Sequence, residues 1–318
     1  MKQIKISDSY VLLEDAFIKT SGGDLFNSLE FFHLHTSEGI NAHYFQLQDS
    51  KSQLILGSIH FSEIEPRHFR SPYRGSYGGF ELDAKVPLEA REEFISGVEH
   101  QLKTSGAKRL TIVTCPFAYD ESLSAQNFNL LFRKGFQIEN HELNYSMAVD
   151  TIPFEEKIDY GNLKRLKKCR RENLEVRQLS ASEVKQAYEV ISENRTRRGF
   201  PITMSWDALN EMMNAISNSI VCFGVFQQEK MVASAICIPV NPKILYVFYW
   251  GEVSGMESLS PVTLLAERIY RYCLENKIEL LDIGTSTVKG IPNYGLIRFK
   301  KNLGCTESLK LTYTKELS

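Results

Sequence analysis

Polar and apolar positions sort this chain into one order of elements, used twice. In the first half a polar lead runs to about Leu25. Ala42-His43-Tyr44-Phe45-Gln46-Leu47 and Gln53-Leu54-Ile55-Leu56-Gly57-Ser58-Ile59 then read as strands. A Pro- and Gly-rich stretch, residues 65–79, leads into Phe80-Glu81-Leu82. Phe94, Val98 and Leu102 recur at helical spacing and predict a helix over 88–105. Residues 109–114 read as a strand stopped by Pro116, 127–134 as a short helix ending at Gly135, and 138–149 as a closing strand. In the second half a basic helix precedes the strand Leu174-Glu175-Val176-Arg177. Helices over 182–197 and 205–216 follow, then strands at 220–226, 231–238 and 244–250 in meander order. A helix over 261–275 takes Ser260 as N-cap and Pro261 in its first turn, with Val262, Leu265, Ile269 and Tyr272 on its buried face. A strand at 278–283, a helix and a last strand at 308–317 complete the half.

Strands and helices mixed in this way predict an α/β chain, a mixed-sheet α+β sandwich with helices on both faces. The length of 318 residues is comfortable for two domains, 1–152 and 153–318, with the boundary near Thr151-Ile152-Pro153. Net charge is uneven. Residues 1–150 hold 14 Lys and Arg against 20 Asp and Glu, a balance of −6; the rest holds 23 against 19, or +4. The excess is either variation between halves or a sign that the second half meets an anion. All seven histidines precede residue 150, so a general base drawn from the second half is a carboxylate, a phenol, water or the substrate amine. Six scattered cysteines give no disulfide or zinc framework. A polar N-terminus and the lack of any membrane-length apolar run lead us to expect a cytoplasmic protein with no membrane insertion.

The densest signal lies near the end. Leu280-Leu281-Asp282-Ile283-Gly284-Thr285 is a buried strand ending in Asp and Gly. Asn293-Tyr294-Gly295-Leu296-Ile297-Arg298-Phe299-Lys300-Lys301-Asn302-Leu303-Gly304 is a helix that opens on an aromatic and closes on Phe-Lys-x-x-Leu-Gly. This order resembles the end of a GNAT-type acyltransferase domain of the Fem kind, which includes the peptidoglycan bridge-forming aminoacyltransferases and domains of exopolysaccharide gene products. The resemblance spans nearly the whole chain in element order and is specific at 244–318, more weakly at 71–80. It implies two tandem GNAT-like domains, the first degenerate, the second carrying the active cleft.

In such domains the fourth and fifth strands, here 244–250 and 278–283, splay around an acyl donor. The donor's diphosphate lies at the next helix N-terminus, which makes Ser260 and Val262 the cofactor-binding residues. Tyr249 and Trp250 would stand at the mouth. Lys300 would stabilise the attacked carbonyl oxygen, and Asp282 would orient it or accept the amine's proton; both are the expected catalytic residues. Tyr294 and Arg298, four apart, would share a cleft-lining helix face. Arg195, Arg197 and Arg198, in the segment from Arg195 to Pro201, would border an anionic acceptor. Tyr73, Arg74 and Tyr77 match a Pro…Gly-Gly stretch that lines a substrate groove in some relatives.

The implied activity is N-acyl or aminoacyl transfer to an amine such as a cell-wall precursor or amino sugar, with acyl-CoA or aminoacyl-tRNA as co-substrate, no metal and no DNA. Two features depart from the pattern. The acetyl-CoA loop motif is absent, and Gly251-Glu252-Val253-Ser254-Gly255-Met256-Glu257-Ser258-Leu259-Ser260 puts two glutamates where a diphosphate would lie. The long helical hairpin of the bridge-forming enzymes has no room here, which argues against tRNA. A non-catalytic ligand-binding protein that keeps the fold is therefore the alternative. The basic run Lys164-Arg165-Leu166-Lys167-Lys168-Cys169-Arg170-Arg171 reads first as a solvated connecting helix and second as an anion site, without aromatics for base stacking. His33-x-His35 would put two rings on one strand face, but no third metal ligand follows at a suggestive spacing.

Overall fold

The computed structural model describes residues 2–20, 23–36, 39–200, 202–216 and 220–317. They form two compact units, Met1–Glu142 with Ser308–Ser318, and Leu143–Glu307.

The first unit runs β1 Lys2–Lys5, β2 Tyr10–Glu14, α1 Leu29–Thr36, β3 Ala42–Asp49, β4 Ile55–Glu65, β5 His68–Ser71, β6 Glu81–Leu82, α2 Leu88–Thr104, β7 Arg109–Val113, α3 Glu121–Arg133 and the start of β8 Gln137–Ala148. Its sheet order is β1-β2-β3-β4-β5-β7, then β16 Thr306–Glu316 from the end of the chain. β5 and β7 pair in parallel. Phe45, Ile59 and Phe61 of the strands, Phe94 and Val98 of α2 and Leu130 of α3 make the core. Helix α1 falls between the end of the polar lead, near Leu25, and the first expected strand at Ala42, where the sequence predicts no element. The Ser28 hydroxyl accepts the Phe31 N–H and caps it, and Phe31 and Phe32 are buried. His33 and His35 thus lie on a helix, about 200° apart, not on one strand face.

The second unit takes the rest of β8, then α4 Phe154–Lys157, α5 Tyr160–Arg171, β9 Leu174–Gln178, α6 Val184–Arg197, α7 Trp206–Ala215, β10 Val221–Gln227, β11 Lys230–Asn241 and β12 Ile244–Glu252. It ends with α8 Pro261–Glu275, β13 Leu280–Thr285, β14 Thr287–Val288, β15 Ile291–Pro292 and α9 Tyr294–Asn302. Strands β9 to β12 are an antiparallel meander, β13 joins β12 in parallel, and β8 joins β13 antiparallel. Helices cover both faces, as strand alternation requires. Ala233, Ala235 and Cys237 of β11 join Leu265 and Ile269 of α8 in one core, while Ser234 between them donates to the Ala187 carbonyl of α6.

The grouping differs from a division at 152/153 in two places. Residues 143–148 of β8 pair with β13 and belong to the second unit. The last strand, expected to complete the second half, pairs through Thr312–Glu316 with β7, because Leu311, Tyr313 and Leu317 supply apolar surface to the first core.

Gly304 ends α9 in the left-handed region, φ +82°, and an added Cβ would lie 2.4 Å from the Lys157 carbonyl oxygen. Gly304→Ala should cost about 2–4 kcal/mol in urea unfolding. A loss below about 0.5 kcal/mol, the range of an ordinary surface change, would show that this backbone is not held as described.

Candidate functional site

The site starts from a break in one ladder. β12 and β13 pair at Ile244↔Leu280, Leu245↔Leu281 and Tyr246↔Asp282, and no further, although β12 continues to Glu252 and β13 to Thr285. Past Tyr246 the β12 edge faces a gap. A bulge sits on its other side, where Phe248 has no partner between the Cys237↔Val247 and Ile236↔Tyr249 pairs.

The break has a local cause. Gly284 takes φ +77°, which turns β13 out of register, and the β13–β8 ladder slips between Asp282 and Thr285. The buried Asp282 carboxylate fixes that turn: Oδ1 accepts the Gly284 N–H at 2.7 Å and the Asn144 side-chain amide at 2.8 Å. Lys300 reaches the same turn from α9 and donates to the Gly284 and Thr285 carbonyls, each at 2.8 Å. Its ammonium lies over the Tyr145 ring, 5.7 Å from the centroid, and the residue is only 2% exposed. Burial pulls the lysine down to about 8, and Asp282 offsets this only in part. Lys300 and Asp282 are thus together beside the gap. Two ammonium donors already bind backbone.

Tyr249 and Trp250 point to opposite faces of β12. Tyr249 is buried, its hydroxyl 2.8 Å from the Thr203 hydroxyl, with the Arg195 guanidinium 5.3 Å over its ring. The Arg195 Nε is buried without a partner. Trp250 packs edge-on to Phe299 of α9, ring centroids 5.9 Å apart. Arg197 binds Glu257 at 2.7 Å and Arg198 binds Glu252 at 3.3 Å, so both arginines face the chain's own carboxylates. Pro201, at the end of that segment, lies outside the described residues.

Glu252 is the group sequence reading undervalued. It is 5% exposed at the end of β12. Burial raises its carboxyl, Arg198 partly offsets that, Glu257 adds to it, and the Val262 N–H at the start of α8 lowers it slightly. The approach to α8 is electrostatic more than a formed bond, since Oε2 has no hydrogen-bond partner. The helix N-terminus expected to hold a diphosphate therefore faces a carboxylate of the chain itself. Ser260 occupies the N-cap position of α8, with Pro261 in the first turn, but it takes φ +51° and its side chain caps no backbone N–H. The Val262 side chain is buried. Glutamate defaults to solvent in any sequence reading, which hides this one; its place directly after an apolar strand is the signal available.

Other expected residues fall elsewhere. Tyr294 is 72% exposed and Arg298 is exposed, the latter about 200° around α9 from Lys300. Tyr73, Arg74 and Tyr77 are in the first unit: Arg74 lies over the Tyr73 ring at 5.0 Å, and Tyr77 is buried with its hydroxyl donating to Asp24 at 3.2 Å. In α5, Leu166 and Cys169 are buried and Arg170 binds Glu155 and Glu267, while Lys164, Arg165, Lys167 and Arg171 are exposed. In the first unit Glu14, Asp15 and His43 bring potential ligand atoms within 4.8 Å of one another. His43 Nδ1 lies 3.0 Å from Glu14 and the Tyr44 N–H donates to Asp15, so hydrogen bonds within the chain account for this group. No helix among the described residues is long and apolar enough to cross a membrane.

No family model and no curated protein matches the chain. Solved structures do. FemX is 14% identical, with a TM-score of 0.71 over 100% of this chain and 98% of that one. L-PGS from Bacillus licheniformis is 12% identical, TM-score 0.61, over 94% and 95%. A tandem GNAT protein from the clavulanic acid biosynthesis pathway is 9% identical, TM-score 0.50, over 87% and 83%. The chain shares the tandem GNAT-like fold of these structures. At these identities the likeness is one of fold.

Lys300→Met keeps most of the side-chain volume but orphans the buried Gly284 carbonyl and the part-buried Thr285 carbonyl, so it should cost about 2–4 kcal/mol near neutral pH. The folded lysine sheds its proton at about 8, below its ordinary value, so between the two the unfolded chain binds more protons and wild-type stability rises with pH. The deficit of the variant should therefore widen across that window. Urea unfolding of both proteins at a series of pH values measures it; a constant deficit would show that Lys300 is not buried as an ammonium.

Proposed function

We propose that the second unit transfers an acyl or aminoacyl group from an ester or thioester to an amine, on an acceptor such as a cell-wall precursor or amino sugar. The observation that carries this is the parting of β12 from β13 after Tyr246 and Asp282, in a fold shared along its length with FemX. An acyl carbonyl laid in that gap meets unpaired β12 backbone on one side and the positive potential of Lys300 on the other. The amine attacks directly, its lone pair forming the C–N bond as the ester C–O or thioester C–S bond breaks; the proton it sheds passes to the departing oxygen or sulfur, which leaves as alcohol or thiol, and no covalent enzyme intermediate is needed. Asp282, Gly284 and Lys300 keep the gap open and so position the donor.

Between the two expected donors, Glu252 weighs against one whose diphosphate sits at α8, the acyl-CoA pose. An aminoacyl ester, whose reactive end carries no diphosphate, suits the site better. The same carboxylate favours a second reading, a ligand-binding protein that keeps the fold without the donor site.

The test is a transfer assay with mixed aminoacyl-tRNA or acetyl-CoA as donor and an amine-bearing muropeptide precursor or amino sugar as acceptor, amide product read by mass spectrometry. Product should form from aminoacyl-tRNA and fall about 100-fold in Lys300→Met, checked for folding by circular dichroism. Absence of product and of any thermal shift from either donor would favour the binding protein.

Glu252→Gln removes the charge facing α8, so acetyl-CoA should raise the melting temperature of the variant but not of wild type. It also bears on pH. A raised folded carboxyl binds more protons than the unfolded one, so this group's contribution falls as pH climbs from the ordinary glutamate value through the raised one. The variant should lose that slope. Equal acetyl-CoA shifts in both proteins would show that Glu252 does not guard the helix end.

A further inference from the structure

β14 and β15 stand off the main sheet as a two-stranded ribbon closed by Lys289 and Gly290. Both turn residues take positive φ, +51° and +74°, which suits a two-residue hairpin. The ribbon is tied down at its base. The Ser286 N–H donates to the Leu143 carbonyl at 2.8 Å, the Asn293 N–H donates to the Ser286 carbonyl at 2.9 Å, and the Thr287 hydroxyl accepts the Leu143 N–H at 2.9 Å. Thr287 is buried, so its face of the ribbon is turned to β8. Val288 and Ile291 oppose one another in the ladder and share the other face. They are 66% and 73% exposed, and Tyr294 at the start of α9 is 72% exposed. Among the described residues these are three of the four most exposed large apolar side chains. Scattered apolar residues on a surface are ordinary, but a group held out together on a tethered ribbon marks a contact.

The charge around this tip has one sign. Residues 283–306 contain Lys289, Arg298, Lys300 and Lys301 and no Asp or Glu. Lys300 is buried on its carbonyls, and Lys301 pairs with Glu307 at 2.8 Å. Lys289 at the turn, and Arg298 on the helix face it shares with Tyr294, are exposed and make no ion pair among the described residues. A stable protein partner needs a broad complementary patch, about 800 Å² on each side, and three side chains on a convex hairpin end offer far less. A bilayer interface asks for less. Apolar side chains enter between headgroups, a tyrosine sits at headgroup level, and free cations meet anionic lipid.

We propose that the β14–β15 tip seats the second unit on an anionic lipid bilayer, with Val288, Ile291 and Tyr294 in the interface and Lys289 and Arg298 on the headgroups. The contact is peripheral, for a tip of this size lies on a membrane and does not cross it. Tyr294 and Arg298, which stand away from Lys300, thereby gain a common surface. Seating on lipid does not depend on transfer chemistry at the gap.

Co-sedimentation of the full chain with vesicles tests this, comparing equal parts phosphatidylserine and phosphatidylcholine with phosphatidylcholine alone. Wild type should sediment with the anionic vesicles and bind the neutral ones at least about tenfold more weakly. Ile291→Ser should weaken anionic binding about tenfold. Lys289→Asn combined with Arg298→Gln should weaken it about 25-fold, roughly fivefold for each cation. A Tyr294→Trp variant reports the tip itself. Its emission, taken as the difference from wild type, should move to the blue on anionic vesicles. The exposed cations of α5 are the rival basic surface, and binding without that blue shift would overturn the tip in their favour. Circular dichroism checks each variant for folding, and if the double variant misfolds the Tyr294→Trp emission decides. No sedimentation of wild type, equal binding to neutral vesicles, or full affinity in folded Ile291→Ser would each overturn the assignment. A dimer of wild type that Ile291→Ser dissolves, seen by analytical ultracentrifugation, would give the tip to a second copy of the chain instead.

Discussion

The gap in the second unit depends on one turn, at Gly284. Parallel strands with apolar faces tend to stay paired, since each further residue adds ladder hydrogen bonds and buried surface. β12 and β13 stop after three pairs because the chain beyond Asp282 is bound elsewhere. A left-handed glycine turns the backbone, the Asp282 carboxylate takes its N–H, and Lys300 takes the carbonyls that the turn exposes. Burial dominates the charge balance, for it pulls the lysine down despite the nearby acid. The arrangement is therefore not a salt bridge kept for its attraction. It persists because the Gly284 and Thr285 carbonyls left without donors would cost more than the desolvated ammonium does.

The first unit meets the same topological break and closes it. β5 and β7 pair in parallel from His68↔Arg109 to Ser71↔Ile112, and then the chain leaves at Pro72. It returns to the same edge: the Gly78 N–H donates to the Val113 carbonyl at 2.7 Å, Gly78 bridges Thr114, and the Ser71 hydroxyl accepts the Gly79 N–H. Residues 72–80 thus occupy the edge that an acyl group would need. This gives the Ser71–Phe80 stretch a physical role, for a ladder refilled by its own loop has no unpaired backbone to offer a carbonyl.

Much of this was legible in the chain because local pattern and fold agreed. The helix at 261–275, the meander of 221–252 and the Leu280–Thr285 strand follow from periodicity, and Gly284 and Gly304 fall where left-handed backbone is needed. The misses share a different cause. α1 is eight residues, half of them phenylalanine or histidine, whose helicity comes from packing Phe32 against Tyr44 and His60 and Phe31 against His60. The partner of the last strand lies some two hundred residues earlier, a pairing that no local pattern encodes. Lys300 was legible as a polar residue in the right helix, but not as a ligand of backbone carbonyls, since that needs the turn and the helix placed together. Tyr294 and Arg298 share a face, as their spacing of four requires, yet spacing alone does not say which face is buried.

Glu252 shows how a single buried charge redefines a site that topology would otherwise assign. A helix N-terminus favours an anion whatever its source. When the chain supplies a carboxylate on the preceding strand, already partly balanced by Arg198, an incoming diphosphate meets a like charge in a desolvated setting where repulsion is least screened. It also finds Arg197 bound to Glu257, so the nearby cations are engaged before it arrives. Burial raises the carboxyl and so works against the charge, which means that the fold bears a standing cost to keep it there. Fold likeness at this distance carries topology but not the charge at the end of β12.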